Sequence, residues 1–252
     1  MTRAFFSRTS LIRDPLTRLL RGPSLWRAAG MAALAVAAMS PLLVSQQVSS
    51  DGAASTALIT FTLDFPHSNP EHYSIAVDAT GHARYEYSGN VVQDAEEQTY
   101  RAEFEVSVGN RQRIFEWAKQ AHYFAGTVDS GNRKVAFTGT KILSYQDGPR
   151  SNTARYNYSS VEPVRELTAL FQSMAGTLEY GRRLAYYHLY QKLALDEELK
   201  RMEAQAKSGE LSEIQAVAPI LQKIVDDASV INVVRARAKE LIEMESGPAG
   251  HR

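Results

Sequence analysis

The 252-residue chain contains no cysteine. Disulfide bonds, cysteine-ligated metals and a thiol nucleophile are therefore excluded. It also lacks a surplus of either charge, because 28 lysines and arginines are balanced by 28 aspartates and glutamates. Since a nucleic-acid-binding protein normally carries a basic excess over the phosphate backbone, we expect no nucleic-acid partner.

Several signatures of catalysis are missing too. The chain has no G-x-S-x-G nucleophile elbow, no G-x-x-x-x-G-K-[ST] phosphate loop and no G-x-G-x-x-G dinucleotide-binding pattern. A Ser-His-Asp triad stays open, because its members need not be close in sequence. We name no catalytic residue and no cofactor, and we favour a protein that is not an enzyme.

The N-terminal segment differs from the rest of the chain. Residues 1–27 are rich in arginine, and residues 28–45 form an uncharged, alanine-rich run. A basic region followed by an apolar run is typical of an export signal, and a run near 20 residues is also long enough to span a bilayer. Cleaved signal peptide, uncleaved transmembrane anchor and buried cytoplasmic helix stay open as alternatives. Because the arginines precede the apolar run, we expect the later residues outside the cytoplasm, in the cell envelope or periplasm, either inner-membrane anchored or secreted after cleavage.

Beyond the linker at residues 46–56, the pattern predicts an α+β domain at 57–176, a helical extension at 177–246 and a loose tail at 247–252. We expect a mostly antiparallel sheet packed by two helices. Alternation of apolar and polar residues is the signature of half-buried strands. It predicts strands at residues 57–65, 73–77, 83–87, 99–107, 134–137, 141–145 and 153–159.

Helices are predicted from apolar stripes and from capping residues. Asn110 is the predicted cap of the first helix and Ser160 that of the second, with a long helical pattern following from Leu178 to Ala206. Gly209 should end that pattern, and Ser212 with Gln215 resembles a capping box. Pro219 should then interrupt the next helix.

The stretch from His72 to Gly89 predicts a β-hairpin. Asp78 suits the first position of a type I turn and Gly81 suits a left-handed position that closes it. Tyr73-x-Ile75-x-Val77, then Gly81, then Tyr85-x-Tyr87-x-Gly89 resembles a family of bacterial envelope domains of unknown function. The resemblance covers about residues 58–176, where Phe104 and an "IFEWA" helix follow in the family's order. It implies an envelope location and carries over no catalytic residue.

One stretch, "DFPHSNPEH", collects side chains that could bind a metal. His67, Glu71 and His72 are the candidate ligands beside Asp64, and His82 follows the hairpin turn. Pro66 and Pro70 exclude the helix on which zinc enzymes usually place two histidines. We therefore assign no metal site and keep a loop-borne site as the alternative.

Tyrosines are frequent in the predicted strands, at positions 73, 85, 87, 100, 145, 156 and 158. They can fill a core between sheet and helices, or stack on sugars or peptides if exposed. The run "YYHLY" in the long helix either packs inside the protein or forms a surface for a partner. We expect a non-catalytic binding or scaffolding module, anchored in the membrane through residues 28–45 if these are not cleaved. The alternatives are an envelope hydrolase with a His/acid site, and a structural protein that binds a partner or itself through the C-terminal helices.

Overall fold

A computed structural model describes residues 57–90 and 97–246 of the chain. The predictions for residues 1–27, 28–45, 46–56 and 247–252 lie outside these ranges. The strands are β1 (Leu58–Asp64), β2 (His72–Asp78), β3 (His82–Asn90), β4 (Glu97–Glu105), β5 (Thr140–Asp147) and β6 (Arg150–Tyr156). The helices are α1 (Val108–Gln120), α2 (Glu162–Tyr190), α3 (Leu195–Ser208), α4 (Ala218–Asp226) and α5 (Asn232–Ser246).

The protein has an α+β fold built on one antiparallel sheet of six strands in the order β4-β3-β2-β1-β5-β6. Each strand buries alternate residues on one face, as the period of two requires. On the opposite face, Arg84 pairs with Glu103 at 3.6 Å and Arg101 with Glu86 at 3.1 Å, both across β3 and β4. The strand predicted at residues 134–137 was wrong, because this segment forms a turn and a loop.

The inner face of the sheet packs against helix α2. Phe61 on β1 and Phe171 on α2 stack with ring centroids 5.4 Å apart. The first half of α2 carries the predicted apolar stripe, in which Val164, Leu167 and Met174 are fully buried. One helix therefore continues through residue 176, the expected end of the α+β domain, and stops only at Gln191.

Three predicted helix starts were wrong. Helix α1 is capped by Ser107, whose hydroxyl accepts from the Asn110 amide, and α2 begins after Val161 with Pro163 in its first turn. Ser212 does not cap a helix either, since its hydroxyl is buried and has no hydrogen-bond partner among the described residues. Gly209 ends α3 in the left-handed conformation, as predicted.

The C-terminal helices pack closely against α2. Gly181 leaves space for Val217, and buried Thr177 donates to the Ser212 carbonyl at 2.7 Å. As a result, the buried apolar side chains of the sheet and of all five helices form one continuous core. Within the described residues, no helix is both long and apolar enough to span a membrane.

Candidate functional site

Three of the predicted metal candidates lie together near the start of β2. The His67 amide donates to Glu71 Oε1 at 3.1 Å, and His67 has a left-handed φ of 65°. His72 is exposed as the first residue of β2. The Glu71 carboxylate thus closes the loop between β1 and β2.

His82 lies at the other end of the hairpin, where β3 begins. The length of β2 separates it from His72 by about 20 Å. Its Nδ1 lies 3.1 Å from Glu105 Oε1 on the neighbouring strand. The structure therefore does not bring His82 to the other candidates. Between residues 57 and 246, leaving aside 91–96, no group of three His, Asp or Glu side chains is placed to hold a metal.

The turn before His82 forms as predicted. Gly81 has a φ of 103°, and Asp78 Oδ1 accepts from the Thr80 hydroxyl at 2.6 Å. The same oxygen accepts from the amides of Thr80, Gly81 and His82. These hydrogen bonds of Asp78 stabilise the turn of the hairpin.

The strand tyrosines fill the core, in agreement with the packing interpretation. Tyr73, Tyr85, Tyr87, Tyr145 and Tyr156 are buried, and Tyr100 is half-buried. The Tyr85 hydroxyl donates to Glu179 Oε1 at 2.6 Å. The pKa of Tyr85 is raised mainly by its burial and secondly by the negative charge of Glu179. Tyr158 follows β6 and differs from the others, because 43% of it is exposed.

A groove of about 420 Å³ lies where the end of β6 meets the first turns of α2. We call it the β6–α2 groove. Among the residues that the structure describes, its lining has hydroxyl, amide and cationic side chains and no carboxylate. The lining residues are Thr138, Lys141, Tyr156, Asn157, Tyr158, Ser159, Arg165, Thr168, Ala169 and Gln172.

Lys141 is the least expected member of this lining. Its side chain follows the inward alternation of β5 with Leu143 and Tyr145, and only 5% of the residue is exposed. Nζ lies within 2.9–3.3 Å of the Thr138 hydroxyl and the carbonyls of Thr138, Gly139 and Asn157. Burial lowers the pKa of Lys141, because desolvation disfavours an ammonium.

Asn157 holds the loop side of the groove in place. Its Oδ1 accepts from the Thr138 amide at 3.0 Å and its Nδ2 donates to the Ala136 carbonyl at 3.1 Å. Its own amide donates to Asp129 Oδ2 at 2.8 Å. The nearby Asp129 carboxylate is thus engaged by backbone amides, since Gly131 also donates to it at 2.6 Å. These hydrogen bonds lower the pKa of Asp129.

The helical side is made by one face of α2. Thr168 and Ala169 lie three and four residues after Arg165, and Gln172 lies four and three residues after them, which places all four on one face of the helix. Thr168 donates to the Val164 carbonyl and accepts from the Tyr156 hydroxyl, both at 2.6 Å. Arg165 Nη1 donates to the Ser160 carbonyl at 2.8 Å.

The groove is therefore a cleft of mixed polar and apolar surface with two cations in its lining. In the part of the chain that the structure describes, neither Lys141 nor Arg165 forms an ion pair. Sequence reasoning missed it, because its two sides come from β5–β6 and α2. The one feature of the sequence that indicated the groove was a lysine, Lys141, at an inward-facing position of a predicted strand.

A second surface feature lies at the end of α2. Leu189 and Tyr190 are each 71% exposed and Leu193 is 93% exposed. The neighbouring Tyr186 packs on Tyr190 with centroids 5.1 Å apart. We call Leu189, Tyr190 and Leu193 the α2-end patch.

Comparison with known protein families and with curated proteins finds no match for this chain.

Proposed function

We propose that this chain is a bacterial envelope protein whose globular part binds a ligand in the β6–α2 groove without catalysing a reaction. The observation that carries the proposal is the groove itself, with two cationic side chains in its lining and a volume of about 420 Å³. Volumes of this size are typical of sites for small molecules. The hydrogen bonds of Asn157 to residues 136 and 138 support a preformed site.

The rival is an envelope hydrolase that uses His67, His72 and His82. It is disfavoured by the separation of His82 from the other two along the hairpin. A base and its nucleophile or metal partner must lie within hydrogen-bond or coordination distance. We therefore base the proposal on binding.

A ligand screen with a groove-filling variant tests the binding site. Purified full-length protein in mild detergent is screened by thermal shift against sugars, sugar acids, amino acids and dipeptides at millimolar concentration, and hits are measured by calorimetry. Ala169→Trp fills the groove, while Ala204→Trp adds the same side chain at an exposed position of α3. We expect a ligand whose binding is lost in Ala169→Trp and kept in Ala204→Trp. If no compound binds, or if both variants bind equally, the groove is not the ligand site.

The envelope location rests on the basic and apolar segments of residues 1–45. It is tested with a C-terminally tagged copy expressed in a bacterial host, by measuring the mature mass and resistance to carbonate extraction. A shortened product in the periplasm indicates a cleaved signal, and a full-length, carbonate-resistant product indicates an anchor. A full-length product in the cytosol contradicts the location.

A second candidate function is protein association through the α2-end patch. Its support is the exposure of three large apolar side chains in one short stretch, which is unusual on a monomer. Light scattering of the wild type and of Leu189→Glu/Leu193→Glu tests it. A loss of oligomer in the double variant, with unchanged thermal stability, supports association. A monomeric wild type contradicts self-association.

A further inference from the structure

We propose that the ligand of the β6–α2 groove is a small hydroxylated carboxylate, such as a sugar acid. This inference rests on the proposed function, because it names the chemical class that the same groove binds. Its carboxylate would meet the Arg165 guanidinium, and its hydroxyl groups would meet the polar side chains of the lining.

The charge of the lining argues for an anion. Only 5% of Lys141 is exposed. The hydrogen bonds of its ammonium go to carbonyl and hydroxyl oxygens. These oxygens satisfy its hydrogen bonds but carry no opposite charge. A buried cation without a counter-charge is unfavourable, and an anion in the groove would offset this.

The two cations have different roles in this arrangement. Four oxygens surround the three N–H groups of Lys141, so the ammonium acts on a ligand through its field rather than through a direct bond. Arg165 donates from Nη1 to the Ser160 carbonyl. Its planar guanidinium has five N–H donors, a geometry that matches a carboxylate in a two-bond contact. One such guanidinium suits a monoanion.

The remaining lining offers polar contacts for hydroxyl groups beside apolar surface that can cover the carbon skeleton of a ligand. Thr138 supplies a hydroxyl group and the exposed Gln172 supplies an amide, and the ring of Tyr158 is partly exposed. Amides and hydroxyls both donate to and accept from sugar hydroxyl groups, and an aromatic ring stacks on an apolar sugar face.

Matched ligands separate the carboxylate from the rest of the molecule. Glucuronate and glucose differ only in that C6 is a carboxylate in one and a hydroxymethyl group in the other. Calorimetry with purified full-length protein compares this pair, together with galacturonate and galactose, acetate and inorganic phosphate. We expect each sugar acid to bind at least about tenfold more tightly than its neutral sugar, as a charge-assisted contact predicts. The difference should shrink as salt is added.

Arginine variants test which residue binds the carboxylate of the ligand. Arg165→Gln should bring the affinities for the sugar acid and for its neutral sugar close to each other, because the contact with the carboxylate is lost. Arg165→Lys should retain part of the preference, because it keeps the charge and loses the two-bond geometry. Arg155→Gln is the matched control, since Arg155 is exposed on β6 and does not line the groove.

Each outcome has a distinct meaning. A preference for the acid that Arg165→Gln abolishes and Arg155→Gln keeps supports the inference. If neutral sugars or other uncharged compounds bind as tightly, and Ala169→Trp blocks them, this inference is overturned while the binding function stands. Tighter binding of phosphate than of either sugar acid also overturns it. If no compound of the screen binds, both proposals fail.

Discussion

The Glu213 carboxylate binds the Ser107 cap of helix α1 across 106 positions of the chain. Its oxygens accept from the Ser107 hydroxyl at 2.8 Å and from the Ser107 amide at 3.0 Å, and Asn110 Nδ2 donates to it at 2.7 Å. Helix α1 has no acidic residue in its own first turn. Glu213 thus supplies the negative charge that the positive end of the helix favours, and it links the C-terminal region to the sheet domain.

Replacing Glu213 by alanine should therefore destabilise the protein by about 2–3 kcal/mol, because buried hydrogen bonds to a charged group are lost. Glu213→Gln should cost less, since the amide oxygen can still accept. Urea unfolding followed by circular dichroism measures both. Glu240→Ala, at an exposed position of α5, is the control. Equal free energies of unfolding for Glu213→Ala and Glu240→Ala would contradict a stabilising contact between Glu213 and the start of α1.

The buried pair of Glu179 and Arg182 should be more sensitive than an exposed pair. Arg182 Nη2 lies 2.6 Å from Glu179 Oε2, and the guanidinium lies 4.3 Å from the centre of the Tyr87 ring. Arg182→Met leaves a buried carboxylate without its cation, so we expect a loss of about 3–5 kcal/mol.

The exposed pair Glu197–Arg201 is the matched comparison, because both side chains are 63% exposed and 3.2 Å apart. Arg201→Met should change the free energy of unfolding by less than about 1 kcal/mol. Urea unfolding of both variants gives the comparison. Similar losses would show that the core does not depend on the buried pair.

Asp227 should make stability dependent on acid pH. Its carboxylate accepts from Lys192 and Ser229, and Oδ2 lies 2.9 Å from His188 Nε2. Hydrogen bonds from Lys192 first, and then from Ser229, hold the pKa of Asp227 well below its usual range. An aspartate in the unfolded chain titrates at about pH 3.9. A lowered folded pKa adds stability above that pH and loses it as the pH falls towards the folded pKa.

We therefore expect the wild type to lose more stability than Asp227→Asn as the pH falls below about 4. Unfolding by urea at a series of pH values measures the difference. Asp226→Asn is the control, because Asp226 is exposed and accepts from Gln222. Parallel pH profiles for the wild type and Asp227→Asn would rule out this contribution.

Two glycines of α2 should respond differently to alanine. A Cβ at Gly181 would overlap Val217 Cγ1 and lie 3.1 Å from Val217 Cβ, whereas one at Gly176 meets the Leu211 Cδ2 methyl at 3.2 Å. Alanine in a helix interior normally gains about 1 kcal/mol over glycine. Gly181→Ala should nevertheless destabilise by about 1–3 kcal/mol, because Val217 is stiff and its backbone must shift.

Gly176→Ala should be neutral or stabilising, since the Leu211 side chain can rotate away. Thermal unfolding of the two variants gives the contrast. A stabilising Gly181→Ala would mean that the segment carrying Val217 does not approach α2 closely.

The sequence was sufficient for the parts of the fold that depend on neighbouring residues. Alternation predicted the six strands, and Asp78 with Gly81 predicted the turn, because both signals act over a few residues. The segment at 134–137 shows the limit of this signal. It alternates like a strand, but it pairs with no strand in the part of the chain that the structure describes.

Contacts between distant segments could not be deduced in this way. The chain's α+β class, its hairpin and its inward tyrosines were determined by local periodicity. The β6–α2 groove, the Glu213 cap and the close approach at Gly181 were decided by the tertiary structure, because each joins residues far apart in sequence. A periodic pattern states which face of an element is apolar, whereas the packing of elements determines which polar groups meet.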